Sequence, residues 1–339
     1  ANVPASVASR PCRPRRWGEM VCETPMLELA VAQRLAANGQ RIIITGASGW
    51  LGLATLELLQ QALGDEFTRR VVCYGSAGRT LTLRHGGKVM QRPLPELGLL
   101  PPGPSILLHF AFLTKDRAEQ MSECEYRNAN AAISECVLAA LDPIGVRSIL
   151  VASSGAATKV EDLSASPAMR LYGALKQADE TRLAQWATSA GRRAVVARIF
   201  NVSGPYINKH QAYALANFIG DAQAGRKIAV KAPREVIRSF VGIRELMSLS
   251  FALLNEAPDG IVRFDSGGIP QELGEVAQIV SATLGGPGVD RAAITEPVAD
   301  RYCGDGAAYA GLLRRYGIAS LPLPQQIIET AEYMASQSG

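Results

Sequence analysis

The sequence predicts an α/β fold, a doubly wound parallel sheet with a smaller C-terminal lobe, and three observations point to it. Short apolar runs typical of buried strands alternate with longer stretches of helical periodicity, which is the order that gives a parallel sheet. The runs are continuously apolar, as in strands that helices cover on both faces. The length of 339 residues is enough for one large α/β unit with an appended lobe.

Each element has a local reason. Residues 26–38 are rich in Leu and Ala and end at Asn38-Gly39, which predicts a lead-in helix. The β-branched run 41–45, bounded by glycine, predicts the first buried strand, and the apolar spacing of 51–63 predicts the helix after it. The same reasoning predicts strands at 71–74, 105–110, 148–152 and 194–200, and helices at 128–140 and 170–188.

The chain is predicted to divide at about residue 200, where the pattern of strands and helices becomes irregular. Residues 26–200 form the predicted sheet domain, and 235–265 is expected to return to it. The predicted lobe consists of residues 201–234 and 266–339. Residues 1–25 contain arginines and prolines with no apolar stretch after them. They are expected to be a flexible extension and not a secretory signal.

Composition argues against several classes of function. With 47% hydrophobic and 19% charged residues, the chain is expected to be a packed globule. The net charge is +4 without a long basic run beyond the N-terminus, so nucleic acid is not an expected partner. No apolar run reaches about 18 residues, so no membrane span is predicted. The six cysteines form no CxxC pair, so neither a metal site nor a set of disulfides is predicted. A chain without disulfides is expected to be cytoplasmic.

A glycine-rich loop joins the first predicted strand to its helix, and it reads TGASGWLG over residues 45–52. In this pattern Gly46 permits the tight turn, Gly49 lets the backbone approach a pyrophosphate, and Gly52 lets the helix pack on the strand. The N–H groups at the start of the helix favour a phosphate. The strand before and the helix after are the context that a dinucleotide site needs. The cofactor-binding residues predicted here are Gly46, Ser48, Gly49, Trp50, Leu51 and Gly52.

The choice between NAD and NADP depends on the end of the second strand. An acidic residue there binds the ribose hydroxyls of NAD. The stretch 74–79 has none, whereas Ser76 and Arg79 offer a hydroxyl and a guanidinium. Because arginine suits the geometry of a phosphate, the sequence favours NADP over NAD. The alternative is that Arg79 is a solvated loop residue.

A second pattern points to proton transfer. Tyr172 and Lys176 form YxxxK on a predicted helix, and this spacing puts both side chains on one face. A phenol with a pKa near ~10 is a poor base at neutral pH, and a neighbouring ammonium is expected to lower that pKa. Ser153 and Ser154 follow the predicted strand 148–152, and the carboxyl ends of parallel strands line the ligand crevice. A serine there would bond a substrate oxygen while Tyr172 moves the proton.

Taken in order, these motifs resemble the extended short-chain dehydrogenases/reductases, specifically the nucleotide-sugar epimerase/dehydratase/reductase group. The resemblance covers roughly residues 41–334. The matching pieces are TGASGWLG at 45–52, LLHFAF at 107–112, the Asn-bearing helix near 128–140, ASSGA at 152–156, YGALK at 172–176, RIFNVSGP at 198–205, RSFV at 238–241 and the closing segment 311–332. The resemblance implies that 26–200 is an NAD(P)-binding Rossmann domain and that the lobe binds substrate.

The resemblance also implies roles for single residues. Ser154, Tyr172 and Lys176 would form the catalytic triad, with Ser153 as the alternative to Ser154, and Lys176 would also bond the nicotinamide ribose. The implied cofactor contacts are His109, Ala111, Phe112, Tyr172, Lys176 and the structural asparagine of the fourth helix, Asn130 or alternatively Asn128. The implied substrate contacts are Ser154, Asn201 and Arg238. A guanidinium such as that of Arg238 suits a nucleotide diphosphate.

The implied reaction is hydride transfer at C4 of a nucleotide-activated sugar, by an NAD(P)-dependent epimerase or ketoreductase. Relatives that dehydrate at C4 and C6 carry an acidic pair after the catalytic hydroxyl, and GAAT at 155–158 disfavours that reaction. One alternative is an NADPH-dependent reductase of a non-sugar ketone, in which Arg238 has no diphosphate to hold. Another is a non-catalytic dinucleotide sensor on the same fold. Helices 128–140 and 172–188 would permit a homodimer, or else pack inside the monomer.

Overall fold

Residues 26–256 and 260–337 are described by the structure, a computed structural model. The predicted extension, residues 1–25, lies outside them. The helices of these ranges are α1 (Leu29–Ala37), α2 (Trp50–Leu63), α3 (Phe67–Arg70), α4 (Lys115–Ala118), α5 (Glu123–Leu141), α6 (Pro167–Ala190), α7 (Ala214–Gln223), α8 (Ile243–Leu254), α9 (Leu273–Leu284), α10 (Gly306–Arg315) and α11 (Leu323–Ser336). The strands are β1 (Arg41–Thr45), β2 (Val71–Gly75), β3 (Arg79–Thr82), β4 (Lys88–Pro93), β5 (Ser105–His109), β6 (Val146–Ser154), β7 (Arg193–Ile199), β8 (Asn201–Ser203), β9 (Ile228–Val230), β10 (Val236–Arg238), β11 (Phe240–Gly242), β12 (Gly260–Asp265), β13 (Gln271–Glu272), β14 (Val289–Arg291) and β15 (Asp300–Tyr302).

The large sheet has eight strands in the order β12-β7-β6-β5-β1-β2-β4-β3. Its neighbouring strands are parallel except β3 and β4, which form an antiparallel hairpin at one edge. The chain builds from β1 toward that edge and then crosses back to add β5, β6 and β7 on the other side. This reversal opens a crevice at the carboxyl ends of β1 and β5. The predicted doubly wound parallel sheet is confirmed.

The central strands are apolar on both faces because helices cover both. On β1, Ile42 and Ile44 belong to one core cluster and Ile43 to another, which explains the continuous apolar run. The strands predicted from such runs match β1, β2, β5, β6 and β7 to within a few residues, and β6 extends through Ser154. The sequence does not predict β3 and β4, since most of their side chains are exposed.

A second core lies in the C-terminal half, between α7, α9 and α11 and the strand pair β9–β14. A three-stranded sheet, β13-β10-β15, belongs to the same half of the chain. Within 235–265, β12 joins the large sheet beside β7, whereas β10 pairs in the three-stranded sheet. Tyr309 and Leu313 of α10 pack into the core of the large sheet. Two segments that follow residue 200, β12 and α10, therefore pack with the large sheet.

Helices α5 and α6 pack over the cluster that contains Ile43. Ser134 of α5 donates a hydrogen bond to Asp179 of α6, and both side chains are buried. Across the two described ranges, every helix is too short or too polar to cross a bilayer.

Candidate active site

The glycine loop turns at the carboxyl end of β1. Gly46 has φ +70°, and a Cβ on it would lie 2.6 Å from the backbone nitrogen of Ala111. A Cβ on Gly52 would lie 2.5 Å from the carbonyl oxygen of Ala47. Both positions need glycine because backbone packs directly on backbone there.

Helix α2 begins at this loop with an open first turn. Gly49 is the N-cap residue, and no side chain caps the helix. The N–H groups of the first turn are therefore available to bind an anion, which the helix dipole also favours. Ser48 and Leu51 flank the turn. The loop fits the pyrophosphate of NAD(P), which its backbone would hold.

The side chain of Trp50 is engaged with the C-terminal half. Its indole N–H donates to the carbonyl of Pro205 at 2.8 Å, and its ring lies 5.4 Å from that of Tyr213. A cofactor contact from this position would therefore come from the backbone.

The segment after β5 forms the next part of the crevice. His109 is buried, with Nδ1 2.9 Å from the hydroxyl of Thr45. Asn130 accepts the N–H of Leu113 at 2.8 Å and donates to its own helix. It thereby fixes the backbone after β5. Asn128 is exposed and contacts Cys124, so Asn130 is the asparagine that reaches this segment.

The ring of Phe112 covers the ammonium of Lys176. Nζ lies 3.8 Å from the centroid of that ring and 5.9 Å from the centroid of Tyr172. The rings of Phe112 and Tyr172 meet edge to face at 5.8 Å. The ring quadrupole attracts the cation, and the ring shields it from water.

Ser154 and Tyr172 come together because α6 packs tightly on the turn after β6. A Cβ on Gly173 would lie 2.1 Å from the carbonyl oxygen of Ala156. Ser154 accepts the N–H of Ala156 at 3.2 Å and also interacts with the Tyr172 hydroxyl. Ser153 instead donates to Glu180 at 2.5 Å. The structure thus places Ser154, and not Ser153, beside the tyrosine.

Burial is the main cause of the pKa shifts of Tyr172 and Lys176. It raises the pKa of Tyr172 above its ordinary value, although the hydrogen bond with Ser154 acts in the opposite direction. The direction is opposite to the prediction from YxxxK. Burial also lowers the pKa of Lys176 to about 8, against the opposing charges of Asp179 and Glu180. Lys176 donates to the carbonyl of Ala152 at 2.8 Å.

Tyr302 is a residue of this site that the sequence analysis missed. Its hydroxyl lies 3.4 Å from Oγ of Ser154, and its ring lies 4.9 Å from that of Phe200. It belongs to β15, in the irregular part of the chain, where no periodicity marks it.

The other two predicted substrate residues, Asn201 and Arg238, both adjoin β15. Asn201 donates to the carbonyls of Ser239 and Tyr302 at 3.0 and 3.1 Å. Arg238 stands opposite Tyr302 across the β10–β15 pair and binds the carboxylate of Asp300 at 2.7 Å. Both residues therefore lie next to Tyr302, whose hydroxyl in turn lies near Ser154.

Ser76 and Arg79 lie at the carboxyl end of β2, where the sequence analysis expects the adenosine ribose. Both are exposed, and Arg79 donates to the Ser76 hydroxyl at 3.2 Å. Their separation suits a shared anionic partner. Together with the open helix and the serine–tyrosine pair, the crevice can hold a dinucleotide beside groups that move a proton.

The family model for the NAD-dependent epimerase/dehydratase family matches residues 42–263. The fold is similar to that of UDP-glucose 4-epimerase from Thermotoga maritima, with 16% identity, a TM-score of 0.66, and coverage of 88% of this chain and 100% of that one. It is also similar to a UDP-N-acetylglucosamine 4-epimerase from Methanobrevibacter ruminantium, with 17% identity, a TM-score of 0.66, and coverage of 88% and 99%. UDP-glucose 4-epimerase from Thermus thermophilus gives 20% identity, a TM-score of 0.62, and coverage of 87% and 99%. The curated proteins contain no significant sequence match.

The matched region includes the glycine loop, the YxxxK pair and the first four residues of β12. It spans more than half of the chain, and the solved structures share its fold along most of their length. The resemblance read from the motifs is confirmed: the chain belongs to the NAD-dependent epimerase/dehydratase family and is an NAD(P)-dependent enzyme of the extended short-chain dehydrogenase/reductase type.

Proposed function

We propose that the enzyme transfers hydride at C4 of a nucleotide-activated sugar, with Tyr172 as acid and base. The observation that carries the proposal is the position of Tyr302, which joins Ser154 on one side and Arg238 on the other. A sugar at Ser154 would then be linked to a diphosphate near Arg238. The similarity to 4-epimerases for UDP-sugars supports this substrate class.

The protein groups divide the work between positioning and proton transfer. Because Ser154 accepts the N–H of Ala156, its own proton is available to bond a substrate oxygen. Tyr172 takes the proton of the sugar hydroxyl as the alcohol becomes a ketone, and returns it in the reverse step. Lys176 favours the phenolate through its positive charge. When bound, NAD(P) supplies hydride exchange, and its oxidised ring adds a further positive charge.

The proposal includes two subtypes, an epimerase that reuses its cofactor and a 4-ketoreductase that consumes NADPH. Incubation with UDP-sugars, with and without added NADPH, separates them. Epimerisation without added cofactor supports the first, and stoichiometric NADPH oxidation with a keto-sugar nucleotide supports the second.

An Arg238→Ala variant is expected to bind UDP at least about tenfold more weakly, because a charge-assisted hydrogen bond contributes roughly 1.5–3 kcal/mol. Isothermal titration calorimetry with UDP measures the affinity. The matched control is Arg234→Ala, which removes a surface guanidinium that pairs with Glu296. Equal UDP affinity in both variants would remove the diphosphate role from Arg238.

We further propose that NADP is the preferred cofactor, with Ser76 and Arg79 at the 2′-phosphate. An Arg79→Ala variant is expected to lose about tenfold in NADPH affinity. Its NADH affinity should stay near that of the wild type, so NADH binding serves as the internal control. An equal loss of affinity for NADPH and NADH would show that Arg79 does not bind the 2′-phosphate.

Reduction of a non-sugar ketone is the second candidate, and one observation favours it. Arg238 is already paired with Asp300, and the rings of Phe200 and Tyr302 lie beside Ser154. An apolar ketone would suit such walls. Unchanged UDP affinity in Arg238→Ala, with NADPH oxidation by an aromatic ketone, would favour this candidate over the first.

A further inference from the structure

His109 and Asp179 are buried titratable side chains that the proposed mechanism does not use. Nε2 of His109 lies 3.7 Å from Oδ2 of Asp179, and each residue is 3% exposed. Among the described residues, neither atom has a hydrogen-bond partner. A buried polar atom is costly unless it is paired, so these two atoms are partners.

The proton on His109 can be placed from its other nitrogen. The hydroxyl of Thr45 accepts the N–H of Ala111 at 3.4 Å and lies 2.9 Å from Nδ1 of His109. The hydroxyl accepts from Ala111 through one lone pair and keeps its own proton, which it can give to Nδ1. An imidazole that accepts at Nδ1 carries its proton on Nε2. In that tautomer His109 presents an N–H to Asp179.

Asp179 is held as a carboxylate. Ser134 donates to its other oxygen, so donors face both oxygens. Burial raises the pKa of Asp179, but the hydrogen bonds from His109 and Ser134 and the charge of Lys176 lower it overall. The residue is thus a buried negative charge.

A positive charge that acts on Asp179 is on the same face of α6. Lys176 precedes Asp179 by three residues, and side chains at this spacing are neighbours. Glu180 is the other carboxylate close to Lys176, but Arg198 binds it through two N–H groups at 2.9 and 2.8 Å. The negative charge left to balance the ammonium is that of Asp179.

The titratable groups linked by contact or charge to Lys176, Tyr172, Asp179 or Glu180 lie on several elements. They include Tyr172, Asp179 and Glu180 on α6, His109 on β5, Arg198 on β7, Tyr126 on α5 and Tyr302 on β15. The tyrosines are uncharged at neutral pH, since burial raises the pKa of each. They leave the balance between Lys176 and Asp179 unchanged.

We infer that Asp179 is the counter-ion that keeps Lys176 protonated, and that His109 is the positioning residue that orients Asp179. The role rests on the proposed function, in which Lys176 acts as an ammonium. The contacts also form a chain from the glycine loop, through Thr45 and His109, to the catalytic helix. Loss of the counter-ion would let the buried ammonium release its proton at a lower pH.

The charge state of Lys176 can be measured directly. The sequence has seven lysines, so ¹³C labelling at the lysine ε-carbon gives few NMR signals, and a Lys176→Arg variant identifies the one from Lys176. In the wild-type protein without cofactor, this signal is expected to titrate near pH 8. In Asp179→Asn the midpoint is expected to fall by roughly one pH unit or more. Asp179→Glu, which keeps the charge, should restore most of the shift.

The control is Asp221→Asn, which removes a carboxylate that pairs with Arg226 on the surface and should leave the midpoint unchanged. A wild-type midpoint in folded Asp179→Asn would overturn the inference. If Asp179→Asn does not fold, His109→Leu gives the same test. Without its donor Asp179 is harder to keep ionised, so the Lys176 midpoint should fall, and an unchanged midpoint would contradict the role. The titration needs no substrate, so its failure is distinct from failure of the proposed reaction.

Discussion

A Tyr172→Phe variant is expected to lose about 10³-fold in kcat, because a positioned acid or base contributes roughly 10²–10⁴-fold. The substitution removes the hydroxyl that moves the proton and retains the ring. The edge contact with Phe112 should therefore persist, and cofactor affinity should change by no more than about twofold. Steady-state kinetics with the sugar nucleotide and calorimetry with NADPH measure the two quantities.

The matched control is Tyr316→Phe. The hydroxyl of Tyr316 donates to Glu256 at 2.5 Å. Neither residue is among the crevice residues named above, so loss of this hydroxyl should leave kcat unchanged. Turnover by Tyr172→Phe at the wild-type rate would remove the tyrosine from the reaction. Loss of both turnover and cofactor binding would instead point to a damaged crevice.

A Gly173→Ala variant is expected to destabilise the protein by about 2–3 kcal/mol, the cost of overpacking a close contact. In most helix interiors the same change stabilises by roughly 0.5–1 kcal/mol. Here the added Cβ would lie 2.1 Å from the carbonyl oxygen of Ala156, a backbone atom that cannot rotate away. Helix α6 must shift off the turn after β6, which separates Tyr172 from Ser154. Urea unfolding measures the stability, and kcat should fall with it.

Gly220→Ala is the comparison that isolates this contact. Gly220 also lies inside a helix, α7, but its Cβ would meet only the end of Met334 at 3.8 Å, an ordinary contact. This variant is expected to gain about 0.5–1 kcal/mol. If Gly173→Ala shows the same gain, the packing of α6 on β6 is looser than the structure indicates.

The parts of the molecule that the sequence predicted are those with local patterns. The central strands are continuous apolar runs because both faces are covered, and the glycine loop and YxxxK each place their groups through a few neighbouring residues. Exposed strands such as β3 and β4 lack such a pattern, since sheet pairing rather than burial defines them.

The rest of the site depends on contacts between distant residues. Tyr302 reaches Ser154 across 148 positions, and Asp179 belongs to an otherwise ordinary helical sequence. The direction of the Tyr172 pKa was wrong for a related reason. The motif shows that an ammonium is near, but the burial that raises the pKa is set by the whole fold.

The place of β12 at the edge of the large sheet has a consequence for how the chain is made. It pairs with β7 along its whole length, from Gly260 opposite Arg193 to Asp265 opposite Arg198. The ribosome releases β7 first, and its apolar outer edge has no partner until the sixty residues between Ile199 and Gly260 have followed. An unpaired strand edge invites pairing with other chains. The newly made enzyme is therefore most exposed to aggregation in the interval between the synthesis of the last two strands of its large sheet.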